Sequence, residues 1–385
     1  HENPGGIWNS TSYNSSGHIS WPVLQSAGWY DLFNSVSNFE HITAASKWDV
    51  KSSHAMQIVP LGHCGETGGI PGQAGFTRDL AWNHTAIQTL WAISNGLAPE
   101  VFNLFGNNPR WAALVIWNLL LDGLIPTVPK IPRLMWYVLG SEPYPKANFI
   151  AVGDRLPSPQ YRNLYLSSQA EAVFHDPAEG FDEFIYNPSF PMPTIGGHLF
   201  YNEQGAKCGP QDQTPALTGR SDYLLFESAP LKQPLYITGN VRGRISIETN
   251  VTDTDLVLKL IDCWEDKKML VADGIVRMRW RGNVTSPNPP MEKGKTYQVD
   301  VDLWSISWRF ASNHTIGIIV TSSNYPAVDV NPNNALPLSK EGPNVTASHR
   351  IVFAGESYVT LPIVQNTQLK ELTFARFERQ TTTYS

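Results

Sequence analysis

Cysteine is scarce in this 385-residue chain, and positive charge is never massed. The three cysteines, Cys64, Cys208 and Cys263, stand far apart and match no metal-ligand spacing, so no metal site is expected. Charged residues make up 16% with a net charge of -6 and no basic block, which excludes a nucleic-acid footprint. The longest apolar run, "WAALVIWNLLLDGLI" at 111–125, is interrupted by Asn118 and Asp122. A membrane span needs ~20 apolar residues, so the run reads as a buried helix and no span is expected. A dinucleotide glycine motif, a phosphate-binding loop and a G-x-S-x-G nucleophile elbow are all absent, and no cofactor is implied. No signal peptide is visible; the opening "HENPGG" reads as a processed or truncated end.

What is present points to a secretory route. Seven N-x-[ST] sequons occur, at Asn9, Asn14, Asn83, Asn250, Asn283, Asn313 and Asn344; composition alone gives about four. They predict a glycoprotein that is secreted or lysosomal. An odd cysteine count there leaves one thiol free or pairs it with another chain; three buried small hydrophobes is the alternative. Apolar residues at 42% supply core for two domains.

Two textures divide the chain. "PVLQSAG" and "AMQIVPL" are short and apolar without alternation, the pattern of parallel strands covered on both faces. Between them "LFNSVSNFEHITAASKW" has the length of a crossover helix. Segments 82–97 and 111–124 read as further helices, and no more parallel-type strands are evident, so the sheet is expected to be incomplete. From 132 onward the chain is Pro/Gly-punctuated and rich in short alternating strands, which predicts an antiparallel sandwich of jelly-roll type without a substantial helix between 230 and 365. The expected division is residues 1–130, the C-terminal part of an α/β domain, residues 131–364, a jelly roll, and a polar tail at 365–385.

An acid followed by an imidazole, each just after a buried-looking strand, is the chain order of the last two members of an α/β-hydrolase triad: Asp31 and His63. By spacing alone, an Asp there is more often a helix cap or turn residue, and a single His more often a structural one. Longer strings add to this. "PVLQSAGWYDLF" is similar to the strand-plus-acid segment of the cocaine esterase/Xaa-Pro dipeptidyl-peptidase family of serine hydrolases. "DEFIYNPSFPMPTIGG", "GPQDQ" with "GRSDYLLFES", "VTDTDLVLKLIDCWEDKKMLVADGIVRMRWR" and "VTSSNYPAVDVNPNN" resemble its jelly-roll motifs in order. The resemblance covers residues 1 to about 364 and implies the end of an α/β-hydrolase domain followed by a jelly roll. It implies Asp31 as triad acid and His63 as triad base. Phe33, Phe200 and Tyr201 fall at positions that line or close the acyl pocket, or else are ordinary packing residues. The family's G-P-W-x-H is here Val59-Pro60-Leu61-Gly62-His63, with its Gly and Trp replaced.

The nucleophile and oxyanion donors of that family lie upstream of the matched region. The expectation is therefore a chain that is inert alone and works with an N-terminal chain of the same precursor as a two-chain serine hydrolase. Cys64, beside His63, is either paired across those chains or a buried thiol. The competing reading is a non-catalytic secreted glycoprotein using the scaffold for binding or assembly. Positions after the acid that bind a substrate ammonium in α-amino ester hydrolases are here Phe33 and Asn34, which favours a small carboxylic ester substrate. A peptide substrate, with Xaa-Pro dipeptidyl-peptidase-type activity, is the runner-up.

Overall fold

A computed structural model describes residues 24–30, 34–46, 54–62, 133–142, 146–175, 177–198, 208–282, 286–336, 340 and 342–371. The first elements form a βαβ unit. Strand β1 (Leu24–Tyr30) pairs in parallel with β2 (Ala55–Gly62), and helix α1 (Ser35–Ala45) connects them, as the apolar runs and their spacing predict. Asn34 begins the helix: its side-chain oxygen accepts from the Ser37 backbone N–H at 3.2 Å, satisfying one of the orphan donors of the first turn. Val36 and Phe39 are the buried face of α1, and the Arg133 guanidinium lies 5.7 Å from the Phe39 ring centre. The helices expected at 82–97 and 111–124 lie outside the described residues.

The parallel sheet does not stop at two strands. β3 (Leu134–Gly140) pairs in parallel with β2, Met56 opposite Leu134, and β4 (Phe149–Gly153) adds to it in antiparallel sense. This corrects the two-strand reading, since β3 falls in the segment whose texture suggested only sandwich. The signal was the unbroken apolar string "LMWYVL": all seven residues of β3 are buried, as in a strand covered on both faces.

The rest is a curled β-structure. β9 (Leu235–Thr249) pairs with β12 (Tyr297–Phe310), β14 (Ala347–Val352) and β15 (Tyr358–Val364); β10 (Asp255–Trp264) lies between β11 (Lys267–Arg277) and β13 (Thr315–Thr321). β5 (Gln160–Ser167), β6 (Glu171–Val173) and β8 (Tyr223–Glu227) complete the circuit, and β7 (Phe181–Tyr186) pairs with β14. Among the described residues between 230 and 365 no helix exceeds one 3-10 turn, Met278–Trp280.

β12 shows how the two parts are joined. Its first half alternates, with Val299, Val301 and Leu303 inward and Asp300 and Asp302 outward. At Trp304, with φ 67, the register with β9 shifts, and from Ser305 to Phe310 every residue is buried. Alternation ends there because β3 joins the strand's other edge, Trp308 opposite Leu139, and one apolar core continues from Trp29, Met56 and Trp136 into the sandwich. The polar tail also returns to the first sheet: Lys370 and Glu371 (β16) pair with β4.

The D-T-D and R-x-R strings meet as a buried ladder. Arg277 donates to both oxygens of Asp255 at 2.9 Å, and Arg279 reaches Asp253 at 2.7 Å through its side chain and 2.9 Å through its backbone. Asn331 bridges the two carboxylates, at 3.1 and 2.9 Å. Burial raises the pKa of Asp255 even though Arg277 and Asn331 pull against it. Removing one partner leaves a charge without its counter-ion in the interior, so Asp255→Ala should lower stability by about 3–5 kcal/mol, read by urea unfolding. A loss under about 1 kcal/mol would mean the ladder is solvated.

His349 on β14 is fully buried, with Phe184 5.0 Å from its ring centre and Thr254 3.5 Å from Nε2. Burial pushes its pKa down to about 3 from 6.5. In that interval the unfolded chain binds a proton that the folded chain refuses, so stability is fully present above pH 6.5 and declines as the pH falls. Between pH 6.5 and 4.5 the loss should be about 2–3 kcal/mol. His349→Gln should flatten that limb of the stability–pH curve; an unchanged slope would assign the acid sensitivity elsewhere.

Candidate functional site

The ends of β1 and β2 are level. Residues pair in order from Leu24 opposite Ala55 to Gly28 opposite Val59, and then Tyr30 stands opposite Gly62. Two steps on β1 thus face three on β2, a bulge that takes up one extra residue at Pro60-Leu61. Proline has no N–H to give a ladder and is confined to such irregularities or edges. The bulge puts the last residues of the two strands side by side. Asp31 follows Tyr30 and His63 follows Gly62 in sequence; both lie outside the described residues, as do Phe33, Phe200 and Tyr201.

Beneath these strand ends lies a buried polar cluster that sequence reasoning missed. The Tyr30 hydroxyl donates to the Val271 carbonyl of β11 at 2.8 Å, and its ring centre lies 5.7 Å from that of His198. His198 Nδ1 is 2.9 Å from Asp273 Oδ1, and Trp304 packs edge-on against the imidazole at 4.3 Å. The other oxygen of Asp273 accepts from Asn324 at 2.8 Å. Burial works to raise the Asp273 pKa, but the hydrogen bond and charge of His198, the charge of Lys259 and the Asn324 bond outweigh it and hold the carboxyl below its ordinary value.

Lys259, directly opposite Asp273 in the β10–β11 register, is wholly buried. Its ammonium donates to Gln213 at 3.1 Å and Thr194 at 3.3 Å; burial pushes its pKa down to about 8, with Asp273 opposing. A signal for this cluster existed in the sequence: Lys259 and Asp273 are charged residues inside otherwise apolar strands, and buried charges need partners.

Gly196 and Gly197 let the chain approach this cluster. Both have φ near +75, at 78 and 73, a region that glycine enters without steric cost. A Cβ on Gly196 would sit 2.3 Å from the Gly209 carbonyl, and one on Gly197 2.8 Å from Asp273 Oδ1. Gly197 and Gly209 exchange backbone hydrogen bonds at 2.7 and 3.0 Å, closing the base of the segment that contains Phe200 and Tyr201.

A second group of serine, histidine and aspartate is not a triad. Asp262 Oδ1 and Ser141 Oγ both face the same nitrogen of His314, Nδ1, at 2.7 and 3.4 Å. A relay needs the acid on one ring nitrogen and the nucleophile on the other. Asp262 also accepts from Trp308 Nε1 at 3.1 Å, and Trp264 stacks on His314 at 4.9 Å, so this group braces the sandwich. A cleft of about 660 Å³ lies over α1 between Phe39, Met56, Arg133, Leu156 and Tyr161, and none of the described histidines lines it. Among the described residues no cluster of three or more His, Cys, Asp or Glu could hold a metal ion, and no helix is long and apolar enough to cross a membrane.

Comparison with known proteins bears on the family and the fold. The family described as X-Pro dipeptidyl-peptidase C-terminal non-catalytic domain matches residues 151–360. The cocaine esterase of Rhodococcus sp. (strain MB1 Bresler) is 26% identical over 374 residues, covering 93% of this chain and 59% of its own length. Among solved structures, an aminopeptidase from a marine sediment archaeon, Thaumarchaeota archaeon, superposes with a TM-score of 0.69 at 22% identity, over 90% of this chain and 56% of its own. An α-amino acid ester hydrolase gives 0.66 at 20% identity, over 89% and 55%. The chain therefore spans less than three fifths of each of these relatives, and the two structural likenesses speak for the fold. With the family match extending over more than half of its residues, the chain belongs to the cocaine esterase/X-Pro dipeptidyl-peptidase family.

Proposed function

We propose that this chain is the acid- and base-bearing part of a serine hydrolase that cleaves a carboxylic ester through an acyl-enzyme, with the serine brought by an N-terminal chain of the same precursor. The observation that carries the reading is the level ending of β1 and β2, Tyr30 opposite Gly62, immediately ahead of Asp31 and His63. Neighbouring parallel strands that end together are the setting in which loops can hold an acid and an imidazole within hydrogen-bonding reach. His63 would take the serine proton, return it to the leaving alcohol, and then activate water, while Asp31 holds its tautomer and stabilises the imidazolium. The oxyanion donors would come from the upstream chain. No G-x-S-x-G occurs in the 385 residues, so the isolated chain would be inert.

Asn34 bears on the substrate. Its side-chain oxygen caps α1, so an amide stands where a carboxylate would be needed to hold a substrate ammonium. This favours a simple ester over an α-amino ester; peptide cleavage, including Xaa-Pro dipeptidyl-peptidase-type activity, uses the same mechanism and is the runner-up. A second reading rests on the family description itself, which calls the matched region non-catalytic. On that reading the chain is a secreted binding or assembly module.

Two measurements test these readings. A fluorophosphonate applied to the native preparation should label a serine on a polypeptide co-purifying with this chain, and His63→Ala should cut labelling at least 100-fold. Full labelling in the variant would remove His63 from the mechanism, and no label on any component would favour the binding module. The secretory assignment has its own check. Asn250, Asn313 and Asn344 are exposed, and amidase release of N-glycans in heavy-oxygen water should convert each to labelled Asp. Unmodified asparagine at all three would count against passage through the secretory pathway.

A further inference from the structure

Cys208 is disulfide-bonded, whereas Cys263 is a free thiol buried within β10. The chain contains three cysteines. We infer that the partner of Cys208 is Cys64, and that this bond fastens the residue after His63 to the base of the segment carrying Phe200 and Tyr201. The part of the inference that concerns His63 and the pocket rests on the proposed hydrolase reading; the pairing itself does not.

Two routes along β11 lead from described residues toward the two cysteines. From the N-terminal side, Gly62 stands opposite Tyr30, whose hydroxyl is bonded to Val271; Cys64 is two residues past Gly62. From the other side, the Leu270 N–H donates to the Gln211 carbonyl at 2.9 Å, and the Gln213 N–H donates to Lys268 at 2.8 Å. Cys208 is three residues before Gln211. Adjacent residues of one strand, Leu270 and Val271, are thus the contacts of the Cys208-bearing segment and of Tyr30, the strand neighbour of Gly62. At ~3.5 Å per residue, two residues from one side and three from the other can reach ~7 and ~10 Å toward the ~5.5 Å Cα separation that a disulfide requires.

Cys263 is a poor competitor. It is 5% exposed, burial and the nearby Glu227 push its thiol pKa far up, and a Cβ added at Gly317 would lie 2.9 Å from its sulfur. Nothing larger fits beside it without moving a strand. The segment from Leu199 to Lys207 is therefore bounded by two fixed points: His198, held by Asp273, and Cys208, held by its disulfide. Such a bond forms and persists in an oxidising compartment, in line with the sequons.

The test is peptide mapping of the intact chain, with thiols blocked before and after unfolding and trypsin digestion without reductant. The expected product is peptide 52–78 joined to peptide 208–220, with 260–267 carrying the only blocked thiol and only after unfolding. A link from 208–220 to 260–267, a link to another polypeptide, or two unlinked peptides would overturn the pairing. A thiol reductant opens the bond by exchange, giving two cysteine thiols and the oxidised reagent, and should lower the parent's Tm by roughly 3–6 °C. Cys64→Ser should start at the lower Tm and show no response to reductant. A variant that keeps the parent's Tm and its response would refute the inference. Neither readout involves hydrolysis, so the fluorophosphonate experiment can fail without touching this result, and the reverse.

Discussion

β11 is the floor on which the rest of the molecule is set. Within six residues it receives the Tyr30 hydroxyl at Val271, the Gln211–Gln213 strip at Lys268 and Leu270, and His198 at Asp273. Asp273 is the costliest of these attachment points, a fully buried carboxylate that stays charged only because His198, Asn324 and Lys259 surround it. Polar networks of this kind stabilise when every member is satisfied and penalise heavily when one is lost, because the same low dielectric strengthens the bonds and the orphaned charge alike. The geometry of the strand ends above is therefore inherited from charge pairing below. Apolar packing alone, which tolerates sliding, would not define it as narrowly.

How far the sequence discloses this differs by element. The βαβ unit is legible because apolar strings without alternation and a helix-length connection leave few other arrangements. β3 is legible in hindsight from the same rule, but its flanking prolines and its place at the head of a β-rich region drew it into the wrong sheet. The His198–Asp273 pair is beyond a linear reading: the two residues are 75 positions apart, and neither lies in a spacing that names a partner. Asp31 and His63 are the reverse case. They are conspicuous in the sequence, and the structure describes their strands and not the residues themselves.

The strings that carry the family resemblance have an unexpected distribution of duties. D-T-D and R-x-R form the ion-pair ladder, the lysine of K-L-x-D and the aspartate of D-G-I face each other across β10 and β11, and the glutamine of D-Q receives that lysine. Each of these is a solution to burying charge in a sandwich. The resemblance thus speaks most strongly for a scaffold, and for chemistry only through the short segments around Asp31 and His63. This accounts for how one region can match a description that includes the word non-catalytic while its neighbours in sequence contain Asp31 and His63, the proposed acid and base.

The return of Lys370 and Glu371 to β4 carries a consequence for how the molecule can be divided. The strand they complete is hydrogen-bonded to β3, which is itself paired with β2, so Lys370 and Glu371 edge the sheet that β1 and β2 also form. A fragment trimmed just after β15 would leave β4 without that neighbour, and a fusion placed there would load the sheet instead of hanging free. β1 and β16 thus belong to one sheet, and moving the β-rich part between relatives as a detachable module would have to carry this short strand along.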